Sequence, residues 1–560
     1  MTRSWLMRCF QLFVVAVAAS GGIAQQSSQE TRLGVPEDWT HHHLLFTADY
    51  LRSHPEIFAR EPRALHQVYR RWIRPAANVA TVDLNNLSKS NSGPDWNVQL
   101  VAGTTAFGTS PVKYQADPTA PPSCTADFVI FAINANGAQK NGNTNGQATL
   151  TALNNLYAGP SGQGGACSNG PTFLYNYNTS TINNGKIRTS PVMSLDGNKL
   201  AFVESSATGS AIHILKFGTT GDNGGLNPNN KSVIDPVVPG TGNNATMLTI
   251  SYTTKNNTRS SPWVDYSGDT LYVGDDNGTV YKVTGVFKGT PTLVSTGGWP
   301  VTITGGGILT GPVLDPSSGN LFIGDSRGFL HSFNAATPGT VKNLAVGNAT
   351  KLGANMLDAP IVDPNGSVYA ISSNNGTSAV MVQADTSTLT AKATVNIGRG
   401  STAGTSINLY DGDFDNAFYT SQNTGHFLVC GTGTNTNAPF RYRLPVVGGL
   451  ITTDNAPVQI STSTSARCGP ITNFFNPNIG AGTDYFFWGV TNNCVGTAGC
   501  IMELANAATV TTAAETNGTS GIIIDNESST IQQASNLYFA SQGGTQATRL
   551  ATKLTQNGLQ

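Results

Sequence analysis

Apolar positions along the chain fall in short runs separated by turns rich in Gly, Asn and Asp, and the pattern is clearest at Ser261–Val283, SPWVDYSGDTLYVGDDNGTVYKV. A near copy, GPVLDPSSGNLFIGDSRGFLHSF, follows at Gly311–Phe333. In both, a small residue and Pro precede an apolar run ending in Asp, a Gly-containing turn leads into a second run, and a further turn leads into a third. Three short strands joined by tight turns and recurring at a period near fifty residues predict an antiparallel blade of a β-propeller.

Eight candidate first strands can be marked after Gly93, opening at Ser110, Ser190, Ser261, Gly311, Ala359, Ser406, Gly469 and Ser520. Second strands are expected at Phe128–Ile133, Lys199–Val203, Thr270–Gly274, Asn320–Gly324, Ser367–Ser372, Asn416–Thr420, Asp484–Val490 and Asn536–Ala540. Most are continuous apolar runs, as strands buried on both faces require. The prediction is an all-β protein, an eight-bladed β-propeller of four-stranded blades. Seven blades is the alternative, because the sixth and seventh units match weakly. The last unit has three strands, so a ring without an open edge needs residues 96–101 to pair near Ala547–Leu554.

The N-terminal stretch differs. Arg3, Arg8, an apolar run from Phe10 to Ala19 and small residues to Ala24 read as a secretory signal peptide over residues 1–24. Residues 25–93 hold five of the eight histidines, an arginine cluster and apolar residues at helical spacing, cut by Pro55, Pro62 and Pro75. They predict a small helical appendage and linker preceding a propeller at 94–560. No later run reaches the ~20 apolar residues of a membrane span. The chain is therefore expected to be secreted or periplasmic.

Composition narrows the partners. With 11% charged residues and a formal net charge of −1, the chain exerts little pull on a polyanion, which argues against nucleic acid. A monomer is expected. Cys9 lies in the leader, and the remaining six cysteines predict disulfides in an exported chain. Proximity suggests Cys124 with Cys167, Cys430 with Cys468, and Cys494 with Cys500, although six cysteines permit many pairings.

The segments LYVGDDNGTVYKV and LFIGDSRGFLHSFNAATPG resemble the repeat of the quinoprotein-dehydrogenase-like propellers. The resemblance covers four units well and the rest of residues 94–556 loosely. It implies the fold. Those enzymes would add a vicinal Cys pair over a pyrroloquinoline quinone and Trp-containing docking repeats, and this sequence has neither, so the quinone is not expected. The stretch Asp38–Phe46, DWTHHHLLF, looks like the start of a group of exported proteins of soil bacteria, which implies an envelope or extracellular setting and brings no activity with it.

Candidate chemistry is local. His41 and His43 share a face of an extended segment and, with His54 or His66, offer imidazoles to a metal. The alternative is that they fix the segment to the propeller. Asp411, Asp413 and Asp415 alternate as in oxygen-only calcium loops, although Gln422 stands where such a loop needs Glu. Asp275, Asp276 and Asp325 sit in turns that use Asp for chain reversal. The serine of Gly324–Gly328, GDSRG, lies between two strands rather than at a strand-to-helix elbow. His213, His331 and His426 have no evident local partner, and Trp263, Trp299 and Trp488 are sugar-stacking or inter-blade packing residues. The expected function is a non-enzymatic propeller presenting a loop-built face to a protein or glycan. The alternative is an enzyme with a site at the central channel, either a quinone-dependent dehydrogenase or a polysaccharide hydrolase or lyase. A cluster of carboxylate, His, Arg or Tyr side chains at one channel end would favour that alternative.

Overall fold

The computed structural model describes residues 34–560 except 69–70, 72–93, 119, 140–145, 161–163, 219–235, 351–354, 402–406, 478, 480, 507–508, 527–532 and 556–560. The expected signal peptide and the end of the linker lie outside the described residues.

Eight antiparallel sheets form the blades. Their innermost strands are Val112–Gln115, Val192–Met193, Trp263–Asp265, Val313–Leu314, Ile361–Asp363, Asp413–Phe414, Thr472–Asn476 and Ile523–Asn526. Second strands such as Phe128–Ala132, Thr270–Gly274 and Ser535–Ala540 are buried along their whole length, because each is covered by the blades on either side. Outer strands such as Thr246–Thr253 and Lys342–Ala345 are largely exposed. Their alternation of polar and apolar residues follows from having water on one face. The turn at Asp276-Asn277-Gly278 places Gly278 at φ 81°, and the equivalent Gly328 lies at 84°, a region that favours a residue without a Cβ.

The eighth blade takes strands from both ends of the chain. Trp96–Gln99 pairs with Leu550–Thr555, with Trp96 opposite Lys553 and Gln99 opposite Leu550. The ammonium of Lys553, fully buried, lies 3.4 Å from Asp95 and donates to the Ala158 carbonyl at 2.7 Å, so the closing strand is held by charge as well as by its ladder. Three disulfides, Cys124–Cys167, Cys430–Cys468 and Cys494–Cys500, join segments close in sequence. Among the described residues no helix is long and apolar enough to cross a membrane.

The sixth blade departs from the expected layout. Its first strand is Asp413–Phe414 rather than a run at Ile407, and Asn416–Thr420, expected as the second strand, is a short helix. The second strand is His426–Thr432. Asp415 caps the helix by accepting from the Phe418 amide at 3.3 Å, and a carboxylate there favours a helical turn over a strand.

The N-terminal segment lies across the channel. Val35–Glu37 pairs with the innermost strand of blade 1. Trp39 then reaches blade 3, donating to the Pro262 carbonyl at 3.2 Å. His43 and Leu45 bracket blade 5, where the Leu45 amide donates to Val362 and the Val362 amide to His43, at 2.9 and 2.8 Å. Helices Ala48–Ser53, Ile57–Arg60 and Pro62–Val68 follow. Fully buried Arg63 fixes them by donating to both oxygens of Glu61, to Thr40 and to the Val264 carbonyl, with its guanidinium over Trp263 at 4.4 Å. Stripping a buried ion of its partner costs about 3–5 kcal/mol, enough to keep this segment seated.

Candidate functional site

With the N-terminal helices at one end, the channel is left as a funnel at the end where the innermost strands begin. The small residue that opens most of those strands is there for closeness of approach. A Cβ on Gly311 would stand 2.7 Å from Trp39, and one on Gly521 would stand 2.2 Å from the Ser110 hydroxyl. Hydroxyls stitch neighbouring blades at this rim, with the Ser110 amide donating to Ser190 and the Ser190 amide to Ser261, each at 3.0 Å. The resulting cavity is about 200 Å³. Its floor is Trp39, His42 and His43, and its wall includes Arg188, Arg259 and Tyr410.

His43 is the centre of the polar cluster. The segment expected to be extended is a short 3-10 helix, Trp39–His42, so the three histidines fan out. His41 accepts from the Asp38 amide at 3.3 Å and closes a capping box. His42 faces Asp413 at 3.8 Å. His43 places Nε2 3.3 Å from Asp411 and 3.8 Å from Asp358, while its Nδ1 lies 3.3 Å from the Pro360 carbonyl. Burial lowers the pKa of His43, against the opposing charge of Asp358. Burial raises that of Asp411 well above the carboxylate range, and the charge and shared hydrogen bond of Asp358 push the same way.

The other proposed ligands do not join them. Asp413 accepts from the Asn473 amide at 2.9 Å and the Tyr419 hydroxyl at 3.1 Å, and Asp415 is spent on its helix cap and on His426 at 2.8 Å. The three carboxylates Asp411, Asp413 and Asp415 thus point to three partners rather than one centre. His41 and His43 likewise serve different neighbours. Asp358 was not singled out in the sequence. It precedes the Ala-Pro that opens blade 5, more than fifty positions from Asp411, and only the adjacency of blades 5 and 6 brings the two together.

Other singled-out residues are structural. Asp275 and Asp325 cap their own turns, accepting from Thr279 and Phe329 amides at 3.0 and 2.9 Å, and Asp276 accepts from the Thr258 amide at 2.9 Å. Ser326 accepts from the Ile308 amide. Trp263, Trp299 and Trp488 are buried and unavailable to a sugar. The three strand histidines have partners that sequence could not supply: His213 with Glu204 at 3.0 Å, His331 with Asp325 at 3.3 Å and His426 with Asp415.

Arg188 stands out among the wall residues. It is half-buried and makes no hydrogen bond or ion pair among the described residues, whereas Arg259 donates to the Met356 carbonyl at 3.3 Å. Tyr410 packs edge-on to Phe107 at 5.3 Å and leans on Gly108, where a Cβ would stand 2.2 Å from its ring. The sequence has no vicinal Cys pair, so the residues that the quinoprotein resemblance would require over a quinone are absent.

The fold and the funnel define an eight-bladed β-propeller with its own N-terminal segment in the channel. No family model and no curated protein matches the sequence. Solved structures similar to parts of this chain include three at low identity. BamB from Moraxella catarrhalis is 14% identical, with 70% of this chain and 90% of that one covered and a TM-score of 0.38. The computationally designed Ika8 protein is 9% identical, with 83% and 100% covered and a TM-score of 0.43. The WD40 propeller domain of Doa1 is 11% identical, with 74% and 96% covered and a TM-score of 0.34.

Proposed function

We propose that this is an exported, non-enzymatic β-propeller that binds an acidic glycan at the open mouth of its channel, a carboxylate-bearing sugar at a chain end being the ligand its lining suits. The observation that carries the reading is Arg188, a guanidinium in the funnel wall with no partner anion among the described residues. Guanidinium recognises carboxylate by paired hydrogen bonds. Rim serines and threonines supply hydroxyl partners, and the Tyr410–Phe107 pair offers an apolar face. The cavity is smaller than the about 300–1,000 Å³ of sites that enclose a ligand, which suits a terminal sugar rather than a whole oligomer.

A second reading, a polysaccharide hydrolase or lyase, is favoured by the gathering of His43, Asp358 and Asp411. Calorimetric titration with oligogalacturonate and with an uncharged oligosaccharide of equal length separates the readings. Binding of the acidic oligomer alone, weakened about tenfold or more in Arg188→Gln, is the expected result. Equal binding of both oligomers, or of neither, sinks the acidic-glycan reading, and new chain ends released from the acidic oligomer establish the enzyme instead.

A further inference from the structure

We propose that His43, Asp358 and Asp411 bind one divalent first-row transition-metal ion, Zn²⁺ being the best match, and that the ion ties the N-terminal segment to blades 5 and 6. The inference needs no sugar and stands apart from the glycan reading. A backbone carbonyl only accepts, so the 3.3 Å contact with Pro360 gives the His43 proton to Nδ1. Nε2 is thereby turned toward Asp411 Oδ2 at 3.3 Å and Asp358 Oδ1 at 3.8 Å. An imidazole whose second nitrogen donates to a carbonyl is oriented as metal-ligating histidines are. Donors about 2.0–2.2 Å from a tetrahedral Zn²⁺ stand about 3.3–3.6 Å apart; the Asp411 contact falls in this range, and the Asp358 contact, at 3.8 Å, needs a small inward movement of that partly exposed side chain. Ligand atoms from all three side chains lie within 4.8 Å of one another.

An independent observation concerns the same carboxylate. Asp411 is 4% exposed, and its Oδ1 is buried with no hydrogen-bond partner, an arrangement that costs free energy unless something positive meets it. Asp358 is positioned by the amides of Ala359 and Asp411, at 3.0 and 3.3 Å. Its side chain is 22% exposed, so the open side of the cluster faces the funnel and gives an ion its way in. One nitrogen and two oxygens select the ion. Calcium takes about 6–8 oxygens, which three side chains do not provide, whereas Zn²⁺ accepts imidazole and carboxylate together with an open fourth position.

The test uses the full chain stripped with a chelator and titrated separately with Zn²⁺, Mn²⁺ and Ca²⁺, following heat of binding and melting temperature. Uptake of one Zn²⁺ per chain with a raised melting temperature is expected. Asp358→Asn and His43→Gln should each weaken Zn²⁺ by about tenfold or more, and Asp358→Asn, at the partly exposed position, should melt like the wild type without metal. His331→Gln and His426→Gln should keep full affinity. Absence of Zn²⁺ uptake, uptake unaltered by Asp358→Asn, loss of uptake in either control, or tighter binding of Ca²⁺ than of Zn²⁺ would each overturn the assignment.

Discussion

Asp363, at the far end of the innermost strand of blade 5, shows how a single burial sets a pH response. Its carboxyl is 1% exposed, and burial raises its pKa from 3.8 to about 7, with an amide hydrogen bond from Asn365 opposing the shift and the charge of Asp315 adding to it. The folded chain therefore keeps a proton that the unfolded chain has released, and stability contributed by this group is lost as pH rises from 3.8 to about 7. Asp363→Asn, which cannot ionise, should flatten that part of the stability profile. Urea midpoints of the two proteins across this range check it. Parallel profiles would show that the carboxyl does not carry the dependence.

Between residue and blade, the helix at Asn416–Thr420 shows why local pattern fell short. Ala417, Phe418 and Tyr419 form an apolar run of strand length, and only the cap at Asp415 distinguishes a helical turn. That carboxylate accepts from the amides of Phe418 and His426 and from the His426 ring, at 3.3, 3.0 and 2.8 Å. Asp415→Ala should cost about 1–2 kcal/mol, measured as a lower denaturant midpoint with an unchanged slope. Asp415→Asn, which keeps an acceptor oxygen, should recover part of it. An unchanged midpoint in the alanine variant would mean that the helix is held by the packing of Phe418 on Phe414 alone.

For the whole molecule, closure depends on one short strand from each end of the chain. A chain ending at Arg549 would leave Trp96–Gln99 without its partner strand and bare the edge of Ser535–Ala540. Such an edge is a template for association. The truncated chain is expected to aggregate or fail to fold cooperatively, read by size-exclusion chromatography and thermal melting against the full chain. A monodisperse truncation with an undiminished melting temperature would show that the ring does not need this blade closed.

How much of this was legible followed from the range of the interactions involved. Local order along the chain determined the blades: tight turns such as Asp276-Asn277-Gly278, apolar second strands, and small residues before the innermost strands are set by neighbours a few positions away. Sequence by itself therefore determined the all-β propeller and most of its strands. Tertiary structure alone decided the rest, because the funnel is built where distant segments meet. It set the seating of residues 35–68 across the channel, chose Asp358 over Asp413 and Asp415 as the companion of His43 and Asp411, and gave His213 and His426 their carboxylates. Each blade contributes a residue or two to the channel, and contacts between blades follow ring geometry rather than spacing in the chain, so no local pattern records them.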